Sequence, residues 1–330
     1  MEAIFRSVFD AIFSVVNDYG ITVVLFTVFI RLIQSPFDYK SRKSMRKMEK
    51  VNPQLQALQK KYANDKEKLQ KKQMELYKKE GISPLSGCWP MLLTLPIMFI
   101  MLGALRSIAN EQMISALERI QSAVSGLGLE DKAAIFAKLE RLANPLPGEP
   151  GLFTPFLWIK NLWMPDSPFS TVLPTTSSAL AAMGGADQIA ALRQFIEGDV
   201  YQKIVTEYFQ LNTIKGWTIN LLIVNWDFYA RPNGFLVLPV LSFITQFLSN
   251  KYLMQTQQTQ MQEGQKGTSM MTKWMMPIIF SFFCVSYTAS FALYIVVSTV
   301  IHVVQTKLFN IWLSAQDQRD IAQKEEVDKL

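Results

Sequence analysis

The sequence predicts an all-α polytopic membrane protein: five transmembrane helices with a cytosolic helical hairpin, N-terminus outside and C-terminus inside. Three observations predict it. The 330 residues are 49% hydrophobic and only 18% charged, where soluble domains carry about 25% charged residues. Charge is nearly absent from four long stretches, one of them long enough to cross a bilayer twice. Basic residues concentrate in one short segment, with 14 Lys and Arg against 6 Asp and Glu between Asp38 and Pro84. The same composition excludes other classes. Two cysteines cannot build a disulfide scaffold, and one histidine leaves no multi-histidine metal site. Nucleotide-binding glycine loops, GxSxG and HExxH are absent, so the chain reads as a non-enzyme with no catalytic residues, no metal and no cofactor.

Residues 1–19 predict an interfacial amphipathic helix. Ile4, Phe5, Val8, Phe9, Ile12, Phe13 and Val16 share one face, with Arg6, Asp10, Ser14 and Asn17 opposite. A basic start and a small-residue cleavage site are missing, which argues against a signal peptide; an uncleaved extension of the first span is the alternative. The first span is 20–37, with Arg31 as its single charge. The hairpin, 38–84, has its first arm at Met45, Met48, Val51, Leu55, Leu58 and Tyr62, spaced by three and four. A turn follows at Ala63-Asn64-Asp65, then a second arm with a weaker seam, ending near Gly81 and Pro84. Its basic surface suits anionic lipid head groups, ribosomal RNA or a partner protein, or serves only to fix topology.

The second span is 85–105, containing Pro90 and Pro96. An extended extracytoplasmic region, 106–232, follows, then a third span, 233–252, and a cytosolic loop, 253–269. The run from Met270 to Phe309 is about 60 Å long as a helix, twice a bilayer. It therefore divides into a fourth span, 270–287, and a fifth, 288–309, turning at Thr288-Ala289-Ser290, before a cytosolic tail, 310–330. Charge sets the orientation. From Ser107 to Pro232 there are 9 basic and 12 acidic residues; from Lys251 to Lys273 there are 3 and 1. Short basic loops stay cytosolic. The region 106–232 is too long for plain loop. Helical patterns at Met113–Ile120 and Gln188–Phe195 predict a small cap over the outer face.

Arg31 is the most informative residue. An arginine within a span costs about 2.5–3.5 kcal/mol on insertion scales and persists where it faces a wet cavity or snorkels. Other polar residues fall at its depth: Thr27 and Gln34 on its own face, Thr94 in the second span, Gln246 and Asn250 in the third, and Ser298, His302 and Gln305 in the fifth. No acidic residue lies within the spans to neutralise it. The economical expectation is a positively charged hydrophilic groove open to the inner leaflet, suited to segments carrying carboxylates, with His302 read as a packed residue. An anion-binding small-solute transporter is the rival class, yet no internal repeat is visible and the proline-bearing second span has no counterpart. A purely structural assembly factor is a third reading.

Three stretches carry a resemblance: NDYGITVVLFTVFIRLIQSPFDYKSRKSMRKMEKVNPQLQALQKKY, MELYKKEGISPLSGCWPMLLTLPIMF and MMTKWMMPIIFSFFCVSYTASFALYIVVSTVIHVVQ. In order and together they resemble the YidC/Oxa/Alb family of membrane protein insertases, and FLWIKNLWMPDSP at 156–168 resembles the external segment before that family's third span. The resemblance implies an insertase and chaperone for nascent membrane proteins, acting alone or with the Sec translocon in the bacterial plasma membrane. It implies that the groove at Arg31 receives clients, and with the polar residues at that depth the expected client-binding set is Arg31, Thr27, Gln34, Thr94, Gln246, Asn250, Tyr294 and Ser298. Tyr294 matches the tyrosine of the family's LYW pattern. Membrane lipids and the ribosome follow as further partners. The tail from Ser314 to Leu330 has 3 basic and 5 acidic residues, unlike the basic tail of ribosome-binding members. Thr288-Ala289-Ser290 and Ile295 depart from the usual PxG or PAA and tryptophan, and no lipobox cysteine is present.

Overall fold

A computed structural model describes residues 2–81, 89–128, 130–146, 151–176, 186–221, 224–257 and 266–327. Helix α1 covers Glu2–Val16, α2 Tyr19–Lys61, α3 Lys66–Lys79, α4 Trp89–Val124, α5 Lys132–Ala143, α6 Ala186–Glu197 and α7 Asp199–Lys203, which passes into a π-helix at Ile204–Tyr208. Strands β1 (Thr213–Leu221) and β2 (Val224–Tyr229) pair antiparallel, with Leu221 opposite Val224 and Thr213 opposite Tyr229. Then come α8 (Val237–Gln257), α9 (Lys266–Ser286) and α10 (Ala289–Val327). The protein is mostly helical, in keeping with the expected all-α class, with the β1–β2 hairpin as a small addition to it. Its sequence, rich in Thr, Ile, Trp, Val, Phe and Tyr, has the composition that favours strands.

The boundaries 37/38, 105/106 and 309/310, drawn where apolar runs end, are not breaks in the backbone. Helices α2, α4 and α10 continue through each of them. Hydropathy changes sign there, but the incoming Lys, Arg, Gln, Glu and Ala are good helix formers, so the backbone has no reason to stop. Among the described residues, Tyr19–Lys61 and Ala289–Arg319 are long and apolar enough to cross a membrane.

The chain divides into two units. The first comprises Met1–Leu25, Ile100–Ser242 and Phe280–Ile295. Asn17, at φ 54°, separates α1 from α2, whose start is capped by Asp18: its carboxylate accepts from the Ile21 amide at 2.8 Å. The apolar face of α1 closes on protein, with Phe9 buried and Phe13 stacked on Tyr19 at 4.0 Å, while Arg6 bridges Asp10 and Glu111 at 2.9 and 2.6 Å. The core is the second half of α4, where Met101, Leu105, Ile108, Met113, Leu117 and Ile120 are buried, together with Leu139, Leu162, Trp163, Leu173, Ile196 and Tyr201.

An irregular segment, 151–176, holds helix starts by hydrogen bonds. Asp166, fully buried, accepts from the Phe235 and Leu238 amides at 2.8 and 2.7 Å and so caps α8. Asn233 donates from Nδ2 to the Asn161, Met164 and Pro165 carbonyls and accepts from the Asn161 amide. The first amides of α10 donate to the same segment, Ala289 to Met164 and Ser290 to Leu162, both at 3.0 Å. Gly234 is required beside Asp166, since a Cβ there would overlap its carboxylate.

The second unit comprises Phe26–Phe99, Phe243–Ile279 and Val296–Leu330. Met45, Val51 and Leu55 are buried along the first hairpin arm, and the chain turns at Tyr62–Asn64. Asp65 caps α3 by accepting from the Lys68 amide at 3.1 Å. Leu69 is the buried residue of α3, so this arm is held by little apolar contact.

Candidate functional site: a polar seam between α2 and α10

Within the second unit α2 and α10 pack side by side and parallel. Contacts advance together along both helices: Arg31 with Ser298, Arg42 with Thr306, Tyr39 with Phe309 and Trp312, Arg46 and Lys50 with Asp317. Residues three and four apart share a helix face, and here the buried face is rich in polar groups, alongside Val23, Phe26 and Ile30. On α2 it carries Thr27, Arg31, Gln34, Asp38, Ser41 and Arg42, and on α10 Ser298, Thr299 and Thr306. The outward faces are apolar: Ile21, Leu25, Phe29, Leu32, Ile33 and Phe37 on α2; Val300, Val304, Leu308, Ile311 and Trp312 on α10. A soluble helix does the reverse. A helix pair with polar seam and apolar exterior is the arrangement a lipid surround selects, because only the interior can satisfy polar groups.

Arg31 is 7% exposed and donates from Nε to Ser298 Oγ at 2.8 Å. Gln305 donates from Nε2 to the Arg31 carbonyl at 3.3 Å, and Arg42 donates to Thr306 Oγ1 at 3.1 Å. Buried Asp38 stands with Oδ2 3.8 Å from His302 Nδ1, beyond hydrogen-bond range; both atoms, and Gln305 Oε1, are buried without a hydrogen-bond partner. Burial outweighs the attraction of Asp38 and Glu49 and pushes the Arg42 guanidinium below its ordinary value. Glu49 is pushed up by burial, against Arg46 and Arg42.

The seam brings Thr27, Arg31, Gln34 and Ser298 onto the facing sides of the two helices. Gln246 and Asn250 are half-buried on α8 in the same unit, and Asn250 Nδ2 is buried without a partner. Tyr294, 3% exposed, lies in the first unit with its ring 6.2 Å from Phe291. The Thr94 side chain lies outside the described residues.

Asp38, assigned by sequence to the cytosolic hairpin, is 8% exposed and faces into the seam. It sits two helical turns from Arg31 on the same face, and ending the span at Phe37 hid that relation. Arg42 and Thr306 extend the seam beyond the expected residues, and Gln305, expected at the depth of Arg31, reaches its carbonyl. The signal for the α2 residues is the spacing 27, 31, 34, 38, 41/42 in an unbroken helix.

Residues 11–316 match the family described as 60Kd inner membrane protein. A protein named Membrane protein insertase YidC from Fusobacterium nucleatum is 45% identical over 92 residues, covering 28% of this chain and 45% of the relative. One of the same name from Clostridium perfringens is 32% identical over 168 residues, covering 51% and 53%. Another, from Anaeromyxobacter dehalogenans, is 39% identical over 94 residues, covering 28% and 17%. The matched stretches thus span about half or less of these relatives. With the match running through the seam helices and most of the chain between them, this chain belongs to the 60Kd inner membrane protein family.

Proposed function

We propose that this chain is a membrane insertase and chaperone for nascent membrane proteins, working alone or with the Sec translocon in the bacterial plasma membrane. The observation that carries the reading is the inverted helix pair, with Arg31 held at its polar seam and apolar side chains outside. Five crossings by α2, α4, α8, α9 and α10, N-terminus out and C-terminus in, complete the reading. The parallel course of α2 and α10 supports it, because the first and last of an odd set of spans must run the same way. Apolar residues exposed on α8 (Val240, Leu241, Ile244, Leu248) and α9 (Trp274, Ile278, Ile279, Phe282) support it too.

Burying an apolar client helix in lipid is downhill; the barrier is the passage of its polar flanks through hydrocarbon. A seam lined by Thr27, Arg31, Gln34 and Ser298, with Gln246 and Asn250 of α8, shortens that dry path. A client carboxylate is a charged acceptor, and charge-assisted hydrogen bonds are roughly twice as strong as neutral ones. It therefore replaces the Ser298 hydroxyl at Arg31. No bond is made or broken, so no catalytic residue is invoked. The client helix then leaves along the exposed apolar faces of α8 and α10. Thr94 belongs to the proposed site by its expected depth in the second span, and Tyr294 by its match to the tyrosine of the LYW pattern.

The test is site-specific photocrosslinking from positions 31 and 246 to stalled nascent membrane proteins. Insertase action gives client adducts at both. Absence of adducts, together with anion flux through reconstituted liposomes, refutes it in favour of a transporter; adducts confined to partner proteins on the hairpin indicate an assembly factor.

A further inference from the structure

The outward face of α2 changes chemistry abruptly without changing direction. Ile21, Leu25, Phe29, Leu32, Ile33 and Phe37 are exposed, and the same face continues into exposed Lys40, Lys43 and Lys47. Because the helix is continuous, the rise fixes their heights. Lys40, Lys43 and Lys47 lie about 4.5, 9 and 15 Å beyond Phe37. A head-group layer adds about 5–8 Å to each side of the hydrocarbon core, so Lys40 and Lys43 reach phosphate level and Lys47 lies just beyond it, within a Debye length. A second observation fixes the same level independently. Tyr39 meets Phe309 and Trp312 edge to face at 5.6 and 5.3 Å, and Trp312 is 56% exposed. Tyrosine and tryptophan gather at the membrane–water interface.

From this juxtaposition we propose that Lys40, Lys43 and Lys47 bind the head group of an anionic phospholipid of the inner leaflet, its acyl chains lying on Phe37 and Ile33. No ion pair engages these three lysines among the described residues, whereas Lys50, one turn further, is bridged to Asp317 at 2.7 Å. The lysine row is thus set off from the part of the face that protein already uses. Ribosomal RNA is the poorer occupant, since the row runs directly out of the lipid-facing stripe, where a bilayer's phosphates lie. The site is independent of the insertase reading: it needs α2 in a membrane and no client.

The experiment uses the full chain, delipidated in detergent and titrated with phosphatidylglycerol or phosphatidylcholine, with bound lipid counted by native mass spectrometry. A photoactivatable phosphatidylglycerol maps its position. The wild type is expected to prefer phosphatidylglycerol, and each lysine replaced in a K40Q/K43Q/K47Q series is expected to weaken that preference about fivefold at low salt. K60Q/K61Q at the end of the same helix serves as the control and leaves it unchanged. Preference retained in the triple variant, crosslinks confined to α3, or binding of an RNA oligonucleotide but not of phosphatidylglycerol overturns the proposal. Because no client or translation is present, failure here leaves the insertase reading standing, and failure of that reading leaves this site standing.

Discussion

Replacing Arg31 separates function from fold, because the two respond to different extents. The side chain is 7% exposed and its Nε donates to Ser298 at 2.8 Å. Removing a buried guanidinium relieves an insertion cost of about 2.5–3.5 kcal/mol and forfeits a hydrogen bond from a charged donor worth about 1.5–3 kcal/mol, so the two nearly offset. Arg31→Ala is therefore expected to fold and reach the membrane about as well as the wild type. A client carboxylate, however, loses a charged partner worth about 1.5–3 kcal/mol, which corresponds to a roughly tenfold to hundredfold slower insertion step. Clients with acidic external tails are expected to suffer most, Arg31→Glu is expected to be worse, and Arg31→Lys close to wild type because positive charge is what the seam supplies. The assay is insertion of an acidic-tailed client in cells depleted of the endogenous protein, with variant abundance and melting temperature measured alongside. Wild-type insertion by both Ala and Glu variants, at wild-type abundance, would refute the seam charge as the working element.

Ser298→Ala leaves the charge and removes the hydroxyl that a client carboxylate must displace, so insertion is expected to hold at or above the wild-type rate, while the double variant should match Arg31→Ala alone; a loss as large as that of Arg31→Ala from Ser298→Ala by itself would contradict the displacement. Asn233→Ala strands the Pro165 carbonyl and the Asn161 amide in a buried site, while the Met164 and Asn161 carbonyls keep the Ala289 and Met164 amides, at about 1–3 kcal/mol per unsatisfied group. A large drop in the unfolding temperature in detergent is expected, and no drop would show the network to be dispensable. Glu49 has its carboxyl raised by burial, so its contribution is full at low pH and is lost as pH rises through the folded-state value. Glu49→Gln is accordingly expected to raise the melting temperature at pH 8 and flatten its fall above pH 5, read by thermal unfolding across that range; equal slopes in both proteins would contradict the shift.

The membrane character and the placing of a charge, Arg31, inside an apolar run were legible in the sequence, because hydropathy and charge are local properties that one strand of text records completely. The same is true of the lysine-rich hairpin and of the apolar face of α1. Element ends were less legible: apolar runs stop at Phe37, Leu105 and Phe309, while the helices α2, α4 and α10 continue, since backbone hydrogen bonding does not depend on hydropathy. What only the tertiary structure decided are the pairings across distance. Nothing near Asp166 announces that it caps a helix beginning at Val237, or that Asn233 and the Met164 carbonyl share one network with the start of α10. Nor does the text around Asp38 tell that it is buried opposite His302, 264 residues away in sequence. A residue's periodicity tells which neighbours share its face, but the partner that face meets is set by how distant helices pack, and that free energy is distributed over the whole chain.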